Sequence, residues 1–394
     1  VEFGGVPLFW TPYLQHPAGS APRQSGFLSP TFGITNFLGG FVETPYYWAI
    51  DESQDLVLRP QIATSAAPNL GLEYRRRFNF GEVSAEGSVG YLNGHQDTPE
   101  GMAGHIFSRG RFAVDENWRT GFDYNWASSE DYLRIYRYGA RRLLNQSGYA
   151  EGFWGTDAFA RIDARAYQGL RSTDNNSLIP YVLPNIYADW RAPTDSLGGT
   201  FTVDTWNFAV FRDAGTSTQR VATRLSYELP YTDNLGGMWA LRAQSDLQAY
   251  NYTDLALAPN YSTTANNGGI GTANIRAALD WRMPFVRSAG EYGQHLIEPR
   301  VQFVGGPLTG SQTSVPNEDS IDFEFTDANL FSLNRFYGRD RQEGGTRVDY
   351  ALRGAWFFPN GGMLEGLAGA SYRIQNDGGP FYSNSGLVNR ASDY

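Results

Sequence analysis

Cysteine and lysine are absent from this chain of 394 residues, so all 31 of its basic residues are arginine. Without cysteine no disulfide stabilises the fold, and cysteine usage gives no indication of the compartment. The formal net charge of -10 argues against a nucleic-acid-binding protein, which would carry a basic face. No apolar run approaches the roughly 18 residues that a transmembrane helix needs, and this excludes a helical membrane protein.

Aromatic residues and glycine are abundant instead, and most of the sequence alternates apolar with polar residues. The alternation is clearest in residues 221–229, 239–249 and 273–283. A period of two predicts strands with one buried face, because successive side chains of a strand point to opposite sides of the sheet. Many of these runs extend over about 10–14 residues, whereas strands in soluble proteins average about 5–6.

The connections between the predicted strands alternate in length. Long polar connections, the longest at residues 306–342, alternate with tight turns near residues 51–54, 79–81, 115–117, 155–157, 230–236 and 359–362. Short turns on one side and long loops on the other are typical of outer-membrane barrels. A soluble propeller would instead repeat a motif about every 40–45 residues, and no such repeat occurs in the sequence.

A sheet in hydrocarbon must pair every backbone group and therefore must close on itself. The sequence thus predicts an all-β fold, a transmembrane antiparallel β-barrel with about 17 strands. In this barrel Arg276 should face the lumen. The apolar residues expected to face lipid are Trp239, Leu241, Leu247, Ile275, Leu279 and Trp281.

The domain organisation follows from the strand count. Bacterial single-chain barrels have even numbers of strands, so an odd count predicts a barrel truncated before its last strands. Residues 1–22 precede the first predicted strand, and we expect them to be the tail and linker of an upstream periplasmic domain. Residues 23–394 are then the outer-membrane β-barrel.

Two prolines fall in the first two predicted strands, Pro30 in GFLSPTFGITNF and Pro45 in GGFVETPYYWAI. Proline has no N–H to donate and belongs at sheet edges or bulges. Gly33, Gly39 and Gly40 lie close by and should weaken the same hairpin further. We therefore expect a weak seam at this end of the barrel. The alternative is that the prolines only end strands near the membrane interface.

Residues 315–347 have neither helical nor strand periodicity over most of their length. The segment is rich in Asp, Glu, Asn and Arg, yet its aromatic and aliphatic residues are too many for a disordered linker. A long loop without repeating structure is usually functional. We expect it to fold back over or into the lumen, with its Phe and Tyr residues on the inner wall. The alternative is a surface excursion packed only on itself. Its apolar residues are Phe323, Phe325, Leu330, Phe331, Phe336 and Tyr337.

The charged residues of this segment leave two interpretations open. Hard cations prefer carboxylate oxygens, but the spacing here matches no EF-hand, so we expect an acidic loop paired with arginine. The arginines suit either those carboxylates or the phosphates of a ligand. The acidic residues are Glu318, Asp319, Asp322, Glu324 and Asp327, and the arginines are Arg335, Arg339, Arg341 and Arg347.

No arrangement of residues indicates catalysis. The sequence contains no nucleophile elbow. The four histidines show no i,i+3 or i,i+4 pairing that would indicate a metal site. We therefore predict no catalytic residue, no metal site, no cofactor and no enzymatic activity. The histidines are His16, His95, His105 and His295.

Several segments, in order along nearly the whole chain, resemble a single family. PLFWTPYLQHP, RQSGFLSPTFG and PYYWAI followed by Asp55 resemble the start of the barrel in the LptD family of outer-membrane lipopolysaccharide-assembly proteins. IEPRVQF at 297–303 and the block at 315–353 resemble the family's most recognisable region, and SGL at 385–387 and SDY at 392–394 also fit.

The resemblance implies roles for two groups of residues. Pro30 and Pro45, with the glycines beside them, match the lateral gate of the family. The residues that match its lumen and loop motif are Asn317, Glu318, Asp319, Ser320, Asn334, Arg335, Asp340, Arg341, Gly344, Gly345 and Arg347.

The resemblance also implies a barrel of 26 strands and a periplasmic jelly roll that receives lipopolysaccharide from an LptA-like bridge. An LptE-like lipoprotein would plug the lumen. The lipid would move through the jelly roll into the membrane, and the sugar would leave through a seam between the first and last strands. The cysteines of some members are absent here, so any redox control of their assembly does not transfer.

The expected function is therefore a translocon that inserts lipopolysaccharide into the outer leaflet of the outer membrane. The alternative is a general porin or uptake channel, which would need an internal constriction loop but no lipid-carrying domain. An enzyme in the barrel wall is a third alternative, disfavoured by the lack of a nucleophile and base.

Overall fold

The computed structural model describes residues 23–94, 100–258, 266–310, 312, 314–321, 323–375, 381 and 384–392, together with strand residues 2–3 and 6–7. The one α-helix among these residues, α1 (Glu130–Ile135), has six residues. Short 3-10 turns occur at Asn176–Leu178, Leu255–Leu257 and Gly290–Tyr292. Among the described residues, no helix has the length and apolar character to cross a membrane.

Strands make up most of the structure. In chain order they are β1 (Glu2–Phe3), β2 (Val6–Pro7), β3 (Gly26–Phe27), β4 (Thr31–Thr35), β5 (Gly39–Glu43), β6 (Tyr46–Ala49), β7 (Gln54–Ala63), β8 (Asn69–Phe78), β9 (Gly81–Leu92), β10 (Gly101–Ala113), β11 (Trp118–Ala127), β12 (Leu143–Trp154), β13 (Ala158–Gly169), β14 (Tyr181–Arg191), β15 (Thr200–Phe211), β16 (Ser217–Thr232), β17 (Met238–Thr253), β18 (Gly268–Arg282), β19 (Phe285–Ser288), β20 (Gln294–Gly306), β21 (Gly345–Phe357) and β22 (Met363–Gln375).

Strands β3 to β22 follow one another in sequence order around a closed antiparallel barrel, which confirms the predicted fold class. Three of these twenty strands continue a neighbour across a proline: β4 continues β3 past Pro30, β6 continues β5 past Pro45, and β19 continues β18 past Pro284. When each interrupted pair is counted once, the barrel of the described residues has 17 strands, the number predicted. Proline ends each first half because it has no N–H for the ladder.

The pairing of β17 with β18 confirms the predicted register. Leu241 lies opposite Leu279 and Trp239 opposite Trp281, so these apolar residues share one face. Leu279 is 43% exposed, whereas Arg276, three residues earlier, is 2% exposed and points to the opposite side. A slip of one residue would reverse this arrangement, because the side-chain period of a strand is two.

The alternation of connection lengths is also confirmed. Every predicted tight turn joins two consecutive strands, and aspartate stabilises several of them. Asp51 Oδ1 accepts from Ser53 N at 2.7 Å and from Gln54 N at 3.0 Å, an Asx turn. The long connections lie at the other strand ends, at residues 93–100, 128–142, 170–180, 254–267 and 307–344.

The chain divides into two compact units. Unit 1 contains Val1–Val114, Gly121–Gln146 and Gln168–Asp174, and unit 2 contains Asp115–Thr120, Ser147–Tyr167 and Asn175–Tyr394. The prediction that residues 1–22 are the tail of an upstream domain lies outside the described residues, apart from β1 and β2, which pair with each other. It stays a prediction.

Candidate functional site

The first hairpin, strands β3 to β6 in unit 1, has an interrupted ladder. Two residue pairs join β3 to β6, and five join β4 to β5. Between these ladders lie residues 28–30 on one side and 44–45 on the other, unequal lengths that indicate a bulge. Pro30 and Pro45 both fall in this gap. The bond from Leu28 N to Pro45 O, 2.8 Å long, crosses it.

The predicted glycines lie toward the tip of the first hairpin. Gly39 has a φ of +65°, in the left-handed region that favours glycine, and a Cβ there would lie 2.3 Å from Thr64 Oγ1. Gly40 N donates to the same hydroxyl at 3.0 Å. A Cβ on Gly33 would lie 3.0 Å from the Phe41 ring. These glycines therefore allow close approach at the tip.

Residues 307–344 between β20 and β21, called the inner loop here, pack against the inward faces of the strands of unit 2. Its apolar residues Val315, Phe323, Leu330 and Phe336 are buried, which confirms the predicted inward fold. Tyr337 is an exception: it was predicted to pack on the inner wall, but it is 57% exposed. It follows Phe336 at a bend of the chain, where Phe336 is buried and Tyr337 is left exposed.

A first charge cluster joins the inner loop to β16 and β17. Arg220 Nη1 lies 2.5 Å from Asp319 Oδ2 and 2.6 Å from Asp340 Oδ1, and all three residues are buried or nearly so. Tyr250 OH donates to Asp340 Oδ1 at 2.8 Å. The backbone N–H of Asp319 donates to Asp340 Oδ2 at 3.0 Å. Wall and loop are thus tied through two carboxylates that share one guanidinium.

Neighbouring residues complete this cluster. Glu318 accepts from Arg212 Nη2 at 2.8 Å and from Thr218 Oγ1 at 2.9 Å. Asn317 and Ser320 form a turn, in which Ser320 N donates to Asn317 Oδ1 at 3.0 Å. The turn holds the two acidic residues toward the wall.

A second charge cluster joins the end of the inner loop to β18, β21 and β22. Glu343, itself buried, lies 3.2 Å from Arg335 Nη1, 3.4 Å from Arg347 Nη1 and 3.6 Å from Arg373 Nη2. Arg347 Nε donates to Asp349 Oδ2 at 3.0 Å. Arg335 also pairs with Asp349 and donates to Ser371 Oγ at 2.8 Å.

Arg276 of β18 belongs to the same cluster. Its Nε donates to the carbonyl of Glu343 at 2.8 Å, and its Nη1 pairs with Asp246 Oδ2 at 2.8 Å. Its Nη2 also donates to Gln342 Oε1. The inner loop therefore binds the wall through backbone as well as side-chain groups.

The remaining residues of the predicted motif shape the loop itself. Arg341 Nη1 donates to Val315 O at 2.9 Å, and Asn334 Oδ1 accepts from Glu343 N at 2.9 Å. A Cβ on Gly344 would lie 2.5 Å from Leu308 Cβ, and Gly345 has a φ of +93°. The structure thus brings all eleven predicted residues into one connected region of unit 2.

Burial and ion pairing shift the pKa values of the inner-loop carboxylates in opposite directions. Burial raises the pKa of Asp340 well above its usual range. Burial also acts to raise the pKa of Asp319 and Glu343, but neighbouring arginines outweigh it and hold both pKa values below the usual range. For Asp319 the arginine is Arg220, with backbone N–H donors of Arg339 and Asp340 in support. For Glu343 the arginines are Arg347, Arg335 and Arg373.

Glu318 and Asp319 pair with arginine, as expected for an arginine-paired acidic loop. No group of three or more His, Cys, Asp or Glu residues suited to a metal ion occurs among the described residues. Asp322 lies outside them.

A second loop also folds inward, which was not predicted from the sequence. Residues 128–142 between β11 and β12, called the helix loop here, contain α1 and bury Tyr132, Leu133 and Tyr136. Ser129 caps the helix, and its Oγ accepts from Tyr132 N at 3.1 Å. A capping serine before two acidic residues, at Ser129 to Asp131, was the signal available in the sequence.

The comparisons agree with these observations. The family model of LptD, described as LPS transport system D, matches residues 102–394. The LPS-assembly protein LptD of Pseudomonas syringae is 26% identical, over 90% of this chain and 42% of its own length. That of Methylococcus capsulatus is also 26% identical, over 86% of this chain and 33% of its own. The chain spans less than half the length of these curated relatives.

Among solved structures, a bacterial polysaccharide outer-membrane secretin covers 69% of this chain at 9% identity with a TM-score of 0.26. The match covers 86% of the secretin chain. BamA from Haemophilus ducreyi covers 89% of this chain, and 66% of its own length is matched, at 12% identity with a TM-score of 0.23. The family match over residues 102–394 shows that the chain belongs to the LptD family.

Proposed function

We propose that this chain is the barrel portion of a translocon that inserts lipopolysaccharide into the outer leaflet of the outer membrane, without covalent chemistry. The observation that carries the proposal is the interrupted ladder at Pro30 and Pro45 in the first hairpin. A lipid with a bulky sugar leaves a closed barrel sideways only if two strands separate.

Separation is costly because backbone groups in hydrocarbon have no water to bind. A first strand that is loosely held by the second can turn away from the last strand while few bonds are lost within its own hairpin. The first hairpin meets this requirement, since two residue pairs hold β3 to β6 and two prolines lie in the gap beyond them. We assign Pro30, Pro45, Gly33, Gly39 and Gly40 to the lateral gate.

The inner loop supplies the second part of the proposal. Its buried ion pairs fix it to strands of unit 2, so it narrows the polar interior and offers a firm surface to a protein inside the barrel. We assign its motif residues, from Asn317 to Arg347, to this role. The proposed partners are lipopolysaccharide, an LptE-like plug lipoprotein and, on the periplasmic side, an LptA-like bridge.

The experiment compares proline substitutions in the full-length protein. Pro30→Ala with Pro45→Ala restores two N–H donors to the first hairpin, and we expect newly made lipopolysaccharide to reach the surface several-fold more slowly with barrel assembly unchanged. Pro284→Ala is the matched control, because Pro284 interrupts a strand of unit 2 in the same way. It should leave export unchanged.

Two outcomes would contradict the proposal. Export unaffected by the double substitution would make Pro30 and Pro45 ordinary strand-end residues. Depletion of the protein that left surface lipopolysaccharide normal, but reduced the uptake of small solutes, would support a porin instead.

A further inference from the structure

We infer that the helix loop restrains the tip of the first hairpin and must release it before the strands of the gate separate. The inference rests on the proposed function. It arises from a buried apolar cluster in unit 1 to which both elements contribute, the hairpin through Leu38 and Phe41 and the helix loop through Tyr132, Leu133 and Tyr136. The two elements are far apart in the chain.

The helix loop is fixed to the barrel wall by tyrosine hydroxyls. Tyr132 OH accepts from Asn69 Nδ2 and hydrogen-bonds to Ser88 Oγ, both at 2.7 Å. Tyr138 OH donates to Asn69 Oδ1 at 2.6 Å, and Tyr136 OH donates to the carbonyl of Tyr91 at 2.9 Å. Asn69 begins β8, and Ser88 and Tyr91 belong to β9. The loop therefore has its anchor on strands that do not belong to the first hairpin.

From this anchor the helix loop reaches the hairpin tip. Leu38 and Leu133 are completely buried in the shared cluster. The guanidinium of Arg137 lies 4.7 Å from the centre of the Phe41 ring, and that of Arg134 lies 5.0 Å from the centre of the Phe37 ring. These are apolar and cation–π contacts, which separate without leaving an unpaired backbone group behind.

The backbone of Arg137 shows how the contact is held. Its φ is +69°, in the left-handed region that residues other than glycine rarely adopt. Such a conformation persists only where the surroundings fix it. The end of α1 fixes it, because Arg137 N donates to Arg134 O at 3.4 Å and Tyr138 N donates to Leu133 O at 2.8 Å, the pattern of a Schellman motif. The Arg137 guanidinium is held beside the Phe41 ring from this fixed backbone.

The first hairpin is therefore weak at one place and restrained at another. Its ladder is interrupted at Pro30 and Pro45, whereas its tip is held by Leu38 and Phe41. If the strands separate from the interruption outward, the tip must leave the helix loop. Opening of the gate thus has two requirements: the hairpin must have few ladder bonds, and the helix loop must release its tip.

A reversible cross-link tests this condition. Phe37 and the side chain of Arg134 are both partly exposed, and the chain has no cysteine of its own. In the full-length protein carrying Phe37→Cys and Arg134→Cys, a cleavable bifunctional thiol reagent should stop the arrival of new lipopolysaccharide at the surface. A reductant that cleaves the link should restore it.

The matched control ties two wall strands of the same unit. Arg109 of β10 and Asp123 of β11 form a surface ion pair of 3.2 Å, and cysteines at both positions accept the same reagent. That link should leave export unchanged, because these strands need not separate. Unchanged export with the Phe37–Arg134 link complete would overturn the inference.

Arg137→Gly provides a test that does not depend on transport. Glycine accepts the left-handed backbone, so the substitution removes the contact with Phe41 without adding strain. Hydrogen exchange at the amides of β4 and β5 should become at least several-fold faster, with β8 and β9 unchanged. Unchanged exchange in β4 and β5 would overturn the inference. Normal surface lipopolysaccharide in depleted cells would overturn the proposed function alone, and the exchange result would still stand.

Discussion

Two long loops fold inward in the described part of this protein, and they are held by different forces. The inner loop in unit 2 is held by buried arginine–carboxylate pairs, with Arg220, Arg276 and Arg335 among the donors. The helix loop in unit 1 is held by tyrosine hydroxyls and apolar packing. A buried charge is costly without its partner, so the ion-paired loop has one favourable position. The loop held by neutral contacts is free to release its neighbour at a smaller cost.

The largest effect is expected where this contrast is sharpest, at Arg220. Arg220→Met removes the guanidinium and leaves Asp319 and Asp340 buried without it. The free energy of unfolding, measured by denaturant titration in detergent, should fall by roughly 3–5 kcal/mol. The control is Arg353→Met, because Arg353 pairs with Glu365 at the surface and such pairs contribute about 0–1 kcal/mol. Equal losses of unfolding free energy in the two variants would mean that the buried ion pairs hold the inner loop no more firmly than a surface pair would.

Alanine substitution of two glycines with positive φ compares the packing of the two loops. Gly338 of the inner loop has a φ of +73°, and a Cβ there would lie 2.4 Å from the carbonyl oxygen of Asp319. Gly139 of the helix loop has a φ of +92° with nothing within 4 Å of a Cβ. Gly139→Ala should cost only the left-handed penalty of about 1–2 kcal/mol. Gly338→Ala should cost about 1–3 kcal/mol more from overpacking.

The same denaturant titration measures both variants. A Gly338→Ala loss no larger than that of Gly139→Ala would mean that the inner loop is as loosely packed as the helix loop.

Tyr132→Phe tests the anchor of the helix loop. It removes the hydroxyl that bonds to the buried amide of Asn69 and to the half-buried hydroxyl of Ser88, and each of these groups then lacks one partner. The expected loss of unfolding free energy is about 1–3 kcal/mol. Tyr124→Phe, at an exposed position of β11, should have little effect. A loss as large as that of Arg220→Met would show that neutral anchors hold as firmly as ion pairs.

The smallest effects should appear as opposite pH dependences of the two loops. The pKa values of Asp319 and Glu343 are lowered, so their contribution to stability is present above their ordinary values and is lost as pH falls through the lowered ones. Asp340 opposes them, because burial raises its pKa. Asp340, with a pKa of about 6, is already protonated where Asp319 and Glu343 begin to lose their contribution. Below the ordinary carboxylate values the loss at Asp319 and Glu343 therefore prevails, and the inner loop should become accessible to protease in acid.

The helix loop should respond to alkali instead. Burial raises the pKa of Tyr132, Tyr136 and Tyr138 above the ordinary value of 10.0. Their contribution is therefore present below pH 10 or so and is lost as pH rises through the raised values. Limited proteolysis across the pH range should cut the inner loop at the acid end and the helix loop at the alkaline end. The same pH profile for both loops would contradict the contrast.

The sequence by itself determined the local features of the fold. Side chains alternate across a strand with a period of two, so Arg276 and Leu279 were assigned to opposite faces correctly. Proline lacks an N–H wherever it lies, so Pro30 and Pro45 were correctly placed at an interruption. Turns, strand number and the inward fold of the inner loop followed from the same local chemistry.

Only the tertiary structure decided which groups meet. Arg220 pairs with Asp319 and Asp340, which lie about a hundred positions later in the chain, and no periodicity links them. The same holds for the contact between Arg137, which follows α1, and Phe41, which lies about a hundred positions earlier in the chain. Alternation and turn chemistry belong to neighbouring residues, whereas a long-range partner depends on the register of every strand between the two groups.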